Sequence, residues 1–199
     1  MSQNDGKVLY SGEVTYDAAA VRRMEKIRFR TFQLGTSAMR VLCAGIMVVC
    51  GYLTGGTTGI LFVAFGCILA VSRDIVGRWR CEQTVKALQG RSIPVTYEFF
   101  ECSFHTITDG QRQTCDYAQL ICLMEDDRYF YLYPNEYQIY MVSKESVKPQ
   151  DPEGLKTLVA RSAGVSWIRP LSLLTANLKQ IIAFQREVGK KRFAKQGSR

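Results

Sequence analysis

The pattern of hydrophobic and polar positions divides the chain into a polar start, an apolar middle and a mixed remainder. Residues 41–72 form a run of 32 positions without a charged side chain. A single helix of that length would measure about 48 Å, whereas the hydrocarbon core of a bilayer is roughly 30 Å thick. A cluster of Gly and Thr at residues 54–59 provides a turn, so the pattern predicts two helices, at residues 34–53 and 57–76. We therefore expect a transmembrane helical hairpin over residues 34–78.

The segment before this run, residues 1–33, predicts a strand followed by a basic helix. Residues 7–15 alternate weakly between apolar and polar side chains, which is typical of a strand. Asp17 is a suitable N-cap, and from there to Gln33 basic residues alternate with apolar ones at helical spacing. We expect this helix to run directly into the first helix of the hairpin.

The segment after the run predicts a juxtamembrane helix over residues 79–92 and then a change of period. Residues 93–164 are rich in Tyr, Phe, Ile, Val and Thr, and their Asp-Gly, Asp-Asp and Pro-Asn pairs are turn signals. An antiparallel β-meander closed by a helix at residues 152–163 is predicted here, because Pro152 suits a helix start and Gly164 a helix end. The expected strands lie at residues 93–101, 103–108, 111–116, 120–125, 128–133 and 137–143.

The end of the chain, residues 165–199, predicts an amphipathic basic helix from Pro170 onward. Leu and Ile recur at helical spacing opposite Lys, Gln and Arg, and a basic tail follows. Two placements of this helix remain open. It lies along the inner leaflet of a membrane, or it packs its apolar stripe on the sheet.

Charge is distributed unevenly along the chain, whose formal net charge is +8. The basic blocks border the apolar run or end the chain, while the sheet segment is acidic. Lys and Arg near the ends of membrane spans favour the cytoplasmic side, so both termini are predicted to be cytoplasmic. The basic residues near the run and at the chain end are candidate contacts for lipid headgroups: Arg22, Arg23, Lys26, Arg28, Arg40, Arg73, Arg78, Lys190, Lys191 and Arg192.

The chemistry-bearing residues do not form a recognisable catalytic or metal-binding motif. A zinc site made of Cys102, His105, Cys115 and Cys122 has the right ligand types but lacks a paired Cys-x-x-Cys knuckle. There is one histidine, no Gly-rich phosphate loop and no nucleophile elbow. We therefore predict no catalytic residue, no metal and no cofactor, and we expect the seven cysteines to be free thiols.

The aromatic sheet segment raises the question of nucleic-acid binding. Tyr129, Tyr131 and Tyr133 share one face of a predicted strand, as stacking platforms do. However, residues 92–143 hold eight acidic residues against two arginines, and that balance repels phosphate. Alternating tyrosines more often pack beneath a helix, so nucleic acid is not expected as a partner.

The residues from Tyr97 onward resemble the YcxB-like domain of small bacterial membrane proteins. The resemblance rests on Tyr97-Glu98-Phe99-Phe100, Asp109-Gly110, Tyr117-Ala118-Gln119-Leu120-Ile121, residues 125–133 and residues 139–144. It implies a cytoplasmic module of sheet and helix, similar to a pleckstrin-homology domain, carried on a membrane hairpin. The family has no assigned reaction, so no catalytic residue is implied.

Pattern and resemblance together predict an α+β membrane protein with a two-helix transmembrane hairpin and a cytoplasmic β-meander capped by C-terminal helices. The expected location is the bacterial inner membrane, as a multi-pass protein. The expected function is a membrane-anchored, non-enzymatic interaction module, whose partners are the lipid bilayer and a protein, with a homo-oligomer also open. The alternative is an accessory subunit of a membrane transport or envelope enzyme complex that works through its hairpin.

Overall fold

The structure is a computed structural model that describes residues 6–71 and 75–169. Five α-helices and eight strands lie within these ranges. The helices are α1 (Ala18–Arg28), α2 (Leu34–Thr54), α3 (Gly56–Val71), α4 (Ile75–Ala87) and α5 (Pro152–Ala163). The strands are β1 (Tyr10–Tyr16), β2 (Ile93–Phe99), β3 (Ser103–Thr108), β4 (Gln111–Asp116), β5 (Cys122–Glu125), β6 (Tyr129–Tyr133), β7 (Tyr140–Ser143) and β8 (Trp167–Ile168).

The strands form two four-stranded sheets. The first has the order β1-β2-β3-β4 and is antiparallel throughout. The second has the order β7-β6-β5-β8, in which β8 pairs parallel to β5. Ser11 of β1 exchanges backbone hydrogen bonds of 2.7 and 2.8 Å with Lys148, which follows β7 in the chain. The Tyr16 hydroxyl adds a second link, because it accepts from the Met141 amide at 3.1 Å and is hydrogen bonded to the Tyr97 hydroxyl.

One aromatic core lies between the sheets. Phe104 is fully buried, and its ring lies 5.9 Å from that of Tyr117 and 5.1 Å from that of Tyr140. Helix α5 covers part of this core with Leu155 and Val159, both nearly inaccessible to solvent. The sheets and α5 are called the body below. Each buried large side chain stabilises the body by roughly 1.5 to 3 kcal/mol through burial alone.

Helix α1 leads from the body into the helical hairpin. It starts where the Asp17 side chain accepts a hydrogen bond of 2.7 Å from the Ala20 amide. After Arg28 the chain makes a π-helical segment, Phe29–Gln33, before α2 begins. The Thr31 hydroxyl lies inside this segment and donates to the Ile27 carbonyl at 2.8 Å. The helix is thus continuous from the body into α2.

Helices α2 and α3 pack against each other along their backbones. A Cβ atom at Gly51 would lie 2.6 Å from the Gly59 carbonyl oxygen, and one at Gly66 would lie 2.9 Å from that of Ala44. Both distances are too short for a side chain, so only glycine permits this close approach. Gly55 forms the turn with φ of 64°, a conformation that glycine adopts at little cost. The helices form antiparallel neighbours as a result.

The predicted transmembrane hairpin is wrong. Among the described residues, no helix combines the length and the apolar character needed to cross a membrane. Helix α3 has 16 described residues, or about 24 Å, and α2 has only residues 41–54 after the charge of Arg40. The predicted second helix was placed over residues 57–76. Of these, α3 covers residues 57–71, residues 72–74 lie outside the described range, and residues 75–76 belong to α4. Two further predictions depended on those spans: an α+β membrane architecture, and a multi-pass inner-membrane protein with cytoplasmic termini. Both are wrong for the same reason.

The β-domain also differs from the predicted single meander. The expected strands are present, but β4 and β5 belong to different sheets, and β1 joins the first of them. Residues 167–168 form β8, whereas the sequence placed them in a C-terminal helical region. The predicted helix at residues 152–163 is confirmed as α5, with Gly164 left-handed at its end. The juxtamembrane helix ends at Ala87, earlier than predicted. The amphipathic helix predicted after Pro170 lies outside the described residues.

Candidate functional site

The hairpin turns most of its large side chains outward. Of the 18 large hydrophobic side chains that are exposed within the described residues, 14 belong to α2 and α3. We call them the hairpin surface: Met39, Val41, Leu42, Ile46, Val48, Val49, Tyr52, Leu53, Ile60, Leu61, Phe62, Phe65, Ile68 and Val71. Their exposure follows from the glycine contacts, because helices that touch along their backbones have little room for large side chains between them. Exposed apolar patches of this extent mark interaction surfaces.

A basic groove lies at the base of the hairpin, between α1 and α4. Arg22, Lys26 and Arg78 line it together with Glu25 and Glu82, and its volume is about 390 Å³. The groove comes from the chain path, because α1 enters the hairpin and α4 follows it, and these two helices contact each other. We call it the basal groove. Three of the predicted headgroup contacts therefore share one site.

The other predicted headgroup contacts are placed differently. Arg40 is exposed on α2. Arg23 is exposed, but its guanidinium lies 3.4 Å from Asp126 and above the Tyr129 ring, so it supports the body. Arg28 is only 8 % exposed and pairs with Glu25 at 2.5 Å, which withdraws it from a membrane surface. Arg73, Lys190, Lys191 and Arg192 lie outside the residues whose side chains are described.

A second cleft, which shares Glu25 and Cys81 with the basal groove, was missed by sequence reasoning. It has a volume of about 720 Å³ and lies between α1, α4 and the loop before β7. Trp79 and Tyr137 line it and are 61 % and 74 % exposed. We call it the aromatic cleft. Tyr137 comes from a segment that was predicted as strand, and that prediction did not indicate a place in this cleft.

An ionic cluster in the body centres on Glu125, whose side chain is 7 % exposed. Lys156 donates to one of its oxygens at 2.7 Å and Lys144 to the other at 2.9 Å. Burial raises the pKa of Glu125, but the hydrogen bonds and charges of the two lysines outweigh burial, and the pKa lies below its usual value. The carboxylate therefore stays ionised and ties β5 to α5. This is a structural role.

The residues of the zinc hypothesis do not come together in the structure. Within the described range, no group of three or more His, Cys, Asp or Glu side chains is arranged to hold a metal ion. His105 is buried, and its ring centroid lies 4.6 Å from that of Phe100. Cys115 and Cys122 are buried, whereas Cys102 is exposed. Burial raises the pKa of Cys115 to about 11, so its thiol is protonated near neutral pH.

The tyrosines of β6 are placed inside the body. Tyr131 and Tyr133 are fully buried. The Tyr131 hydroxyl donates to Asp126 at 2.7 Å, and the Tyr133 ring lies 5.2 Å from that of Phe32. Rings in these positions fix α1 and the π-helical segment against the sheet and are not exposed for stacking on bases.

Comparison with known proteins gives no match. Neither a protein-family model, nor a curated protein, nor a solved structure is significantly similar to the chain. The resemblance to the YcxB-like domain accordingly remains an expectation from sequence, and the hairpin surface with its basal groove is the candidate site on structural grounds alone.

Proposed function

We propose that this protein is a non-enzymatic interaction module that binds anionic lipid surfaces through its hairpin. The observation that carries the proposal is the hairpin surface, because its exposed apolar side chains are unfavourable in water unless a partner covers them. The body serves as the folded base that holds the hairpin. The proposal concerns entry from one face of a lipid layer, and no helix is required to cross it.

The distribution of charge favours lipid as the partner. Residues 41–71 carry no charge, whereas Arg22, Lys26 and Arg78 line the basal groove and Arg40 is exposed on α2. An apolar element with basic residues at its base matches a lipid layer, in which acyl chains lie beneath anionic headgroups. A protein partner with an ordinary charged surface would have to place its own charged side chains against the uncharged hairpin, where they would have no partners.

The geometry of the hairpin suits shallow insertion. The 16 residues of α3 within the described range span about 24 Å, less than the roughly 30 Å hydrocarbon core. The tip satisfies part of its own polar backbone, since the Gly55 amide donates to the Gly51 carbonyl at 3.2 Å and the Thr54 hydroxyl to the Cys50 carbonyl at 2.7 Å. Such internal hydrogen bonds lower the cost of placing a turn among acyl chains.

Flotation of the full chain with lipid vesicles tests the proposal. Vesicles of phosphatidylcholine alone are compared with vesicles of equal parts phosphatidylcholine and phosphatidylglycerol. We expect the chain to float with both and to bind the anionic vesicles more tightly. The double variant Ile60→Asn, Leu61→Asn should lose binding to both, because two exposed apolar side chains become polar. Leu9→Asn, at an apolar residue exposed outside the hairpin, is the control and should bind as wild type does.

The basal groove is tested by removing its positive charges. The triple variant Arg22→Gln, Lys26→Gln, Arg78→Gln should lose the preference for anionic vesicles by about 100-fold, since each basic residue contributes about 1 kcal/mol near such a surface. The charge-matched control Lys7→Gln, Arg91→Gln, Arg161→Gln removes three exposed charges elsewhere. Failure of the wild-type chain to float would overturn the proposal. So would a stable complex through the hairpin, with a second copy or another protein, that excludes vesicle binding.

A further inference from the structure

We infer that strand β4 is an interaction surface that binds β4 of a second copy of this chain. It is the last strand of the first sheet, and within the described residues it pairs with no strand other than β3. The outer edge of such a strand carries backbone donors and acceptors that an added strand can satisfy. The inference goes beyond the proposed lipid binding, because β4 belongs neither to the hairpin nor to the basal groove.

The other sheet edges among the described residues are short or already engaged. Strand β1 exchanges backbone hydrogen bonds with Lys148, and the Met141 amide of β7 donates to the Tyr16 hydroxyl. Strand β8 has only two residues. In contrast, five of the six residues of β4 are exposed, and its pairing with β3 runs without a bulge. It contains neither Lys nor Pro, the residues that commonly protect an edge strand from pairing.

The alternation of residues along β4 decides which backbone groups face the outer edge. The Thr106 hydroxyl of β3 donates to the Gln113 carbonyl at 3.4 Å, and just beyond the strand the Tyr117 amide donates to the Cys102 carbonyl at 3.1 Å. Odd-numbered residues of β4 therefore face β3. Successive residues of an antiparallel strand direct their backbone groups to opposite neighbours. The residues whose N–H and C=O groups face away from β3 are accordingly Arg112, Thr114 and Asp116.

The sequence of β4 favours one antiparallel register with itself. With Thr114 on a two-fold axis, Arg112 of each copy lies opposite Asp116 of the other, and every outward-facing residue meets an outward-facing partner. Opposite charges directly across two strands stabilise their pairing. A register shifted by two residues loses both ion pairs. A shift of four residues places Arg112 opposite Arg112, or Asp116 opposite Asp116, and like charges in that position are destabilising.

The structure already holds Arg112 in a defined place. Its guanidinium lies 2.6 Å from the Glu98 carboxylate on the same sheet and 5.9 Å from the centroid of the Phe100 ring. Because a guanidinium has five N–H donors, it can bind a second carboxylate beside the first. Asp116 of the second copy would extend the Glu98–Arg112 pair into a network across the two-fold axis. The two sheets would then form one continuous sheet.

Sedimentation of the full chain over a concentration series tests the inference. A mild detergent is included to cover the hairpin surface, so that contacts through the hairpin do not contribute. We expect the wild-type chain to form a dimer and Thr114→Pro to remain a monomer, because proline removes the N–H that faces the second copy. That N–H makes no bond to β3, so the fold should be retained, which circular dichroism checks. Thr114→Val keeps the N–H and is the matched control, expected to form the dimer.

A charge exchange tests the register. Arg112→Asp and Asp116→Arg each place like charges opposite one another in a dimer of identical copies, so each should weaken self-association about tenfold or more. Mixing the two variants restores both ion pairs, and differently tagged chains should then copurify as a mixed dimer. A monomeric wild-type chain, a dimer retained by Thr114→Pro, or no mixed dimer would overturn the inference. Thr114→Pro should still float with lipid vesicles, so failure of the dimer and failure of lipid binding are distinguishable.

Discussion

The body and the hairpin are stabilised in opposite ways. In the body, large aromatic side chains point inward and backbones are held apart by them, as the burial of Tyr97, Phe104 and Tyr131 shows. In the hairpin, the backbones of α2 and α3 touch at Gly51, Gly59 and Gly66, and the large side chains point outward. Side chains therefore determine stability in the body, whereas in the hairpin they are available for binding.

The largest expected effect comes from replacing one phenylalanine in each region by alanine. Phe104→Ala removes a fully buried ring and leaves a cavity, so the free energy of unfolding should fall by about 3 to 5 kcal/mol. Phe65→Ala, on the hairpin surface and 54 % exposed, should change it by less than about 1 kcal/mol. Urea unfolding in the absence of lipid measures both. Equal losses would mean that the hairpin side chains are buried in solution, by self-association for example.

The next test adds a side chain to the helix contact. Gly51→Val places atoms against the Gly59 carbonyl and the Val63 side chain, where a Cβ atom already has only 2.6 to 2.8 Å. Because the nearest atom is backbone, we expect a loss of about 3 kcal/mol. Gly45→Val is the matched control, since its Cβ position has no atom within 4 Å. Thermal unfolding monitored by circular dichroism measures both, and similar melting temperatures would contradict the close packing.

A smaller effect on stability comes from charge. The body contains a buried ionic cluster, whereas residues 41–71 of the hairpin carry no charge. Glu125→Gln should destabilise the chain at neutral pH by about 2 kcal/mol, because it weakens two charge-assisted hydrogen bonds. Glu125 has a lowered pKa, so its contribution is present above the ordinary glutamate pKa and is lost as the pH falls through the folded value. The difference between wild type and variant should therefore disappear in acid.

Glu153→Gln is the control for that comparison. Its side chain is 77 % exposed and lies 3.7 Å from Lys156, so it should cost less than about 0.5 kcal/mol. Urea unfolding over a pH series gives both values. A pH-independent difference for Glu125→Gln would show that its ionisation does not stabilise the body.

The same contrast explains which parts of the fold could be predicted from sequence. Local signals located the elements well: Pro152 and Gly164 bracket α5, and the Gly and Thr cluster marks the turn between α2 and α3. The division into two sheets could not be predicted, because it depends on pairing between residues far apart in the chain, such as Tyr10 of β1 with Phe99 of β2. The transmembrane prediction was wrong because an uncharged run of 32 residues was taken as two membrane spans, whereas no helix within the described residues is long and apolar enough to cross a membrane.

The candidate site was also predictable only in part, because it depends on contacts between elements that are distant in the chain. Arg22 and Lys26 are one helical turn apart, so their shared face could be expected, but the addition of Arg78 depends on the contact between α1 and α4. The aromatic cleft needs Tyr137, which reaches it only through the folded body. Arg28 was interpreted as a surface residue, because the sequence does not reveal that the helix buries it.

The smallest predicted effect distinguishes how helices begin in the two regions. Helix α5 starts with Asp151, whose side chain accepts from the Gly154 amide at 2.9 Å, whereas α2 has no side-chain cap and continues from the π-helical segment. Asp151→Ala should therefore lower the free energy of unfolding by about 1 kcal/mol, and Asp151→Asn, which retains a capping oxygen, by clearly less. Equal losses for Asp151→Ala and Asp151→Asn in the same urea titration would mean that a side-chain oxygen does not start α5, and that the contrast between the two helix starts fails.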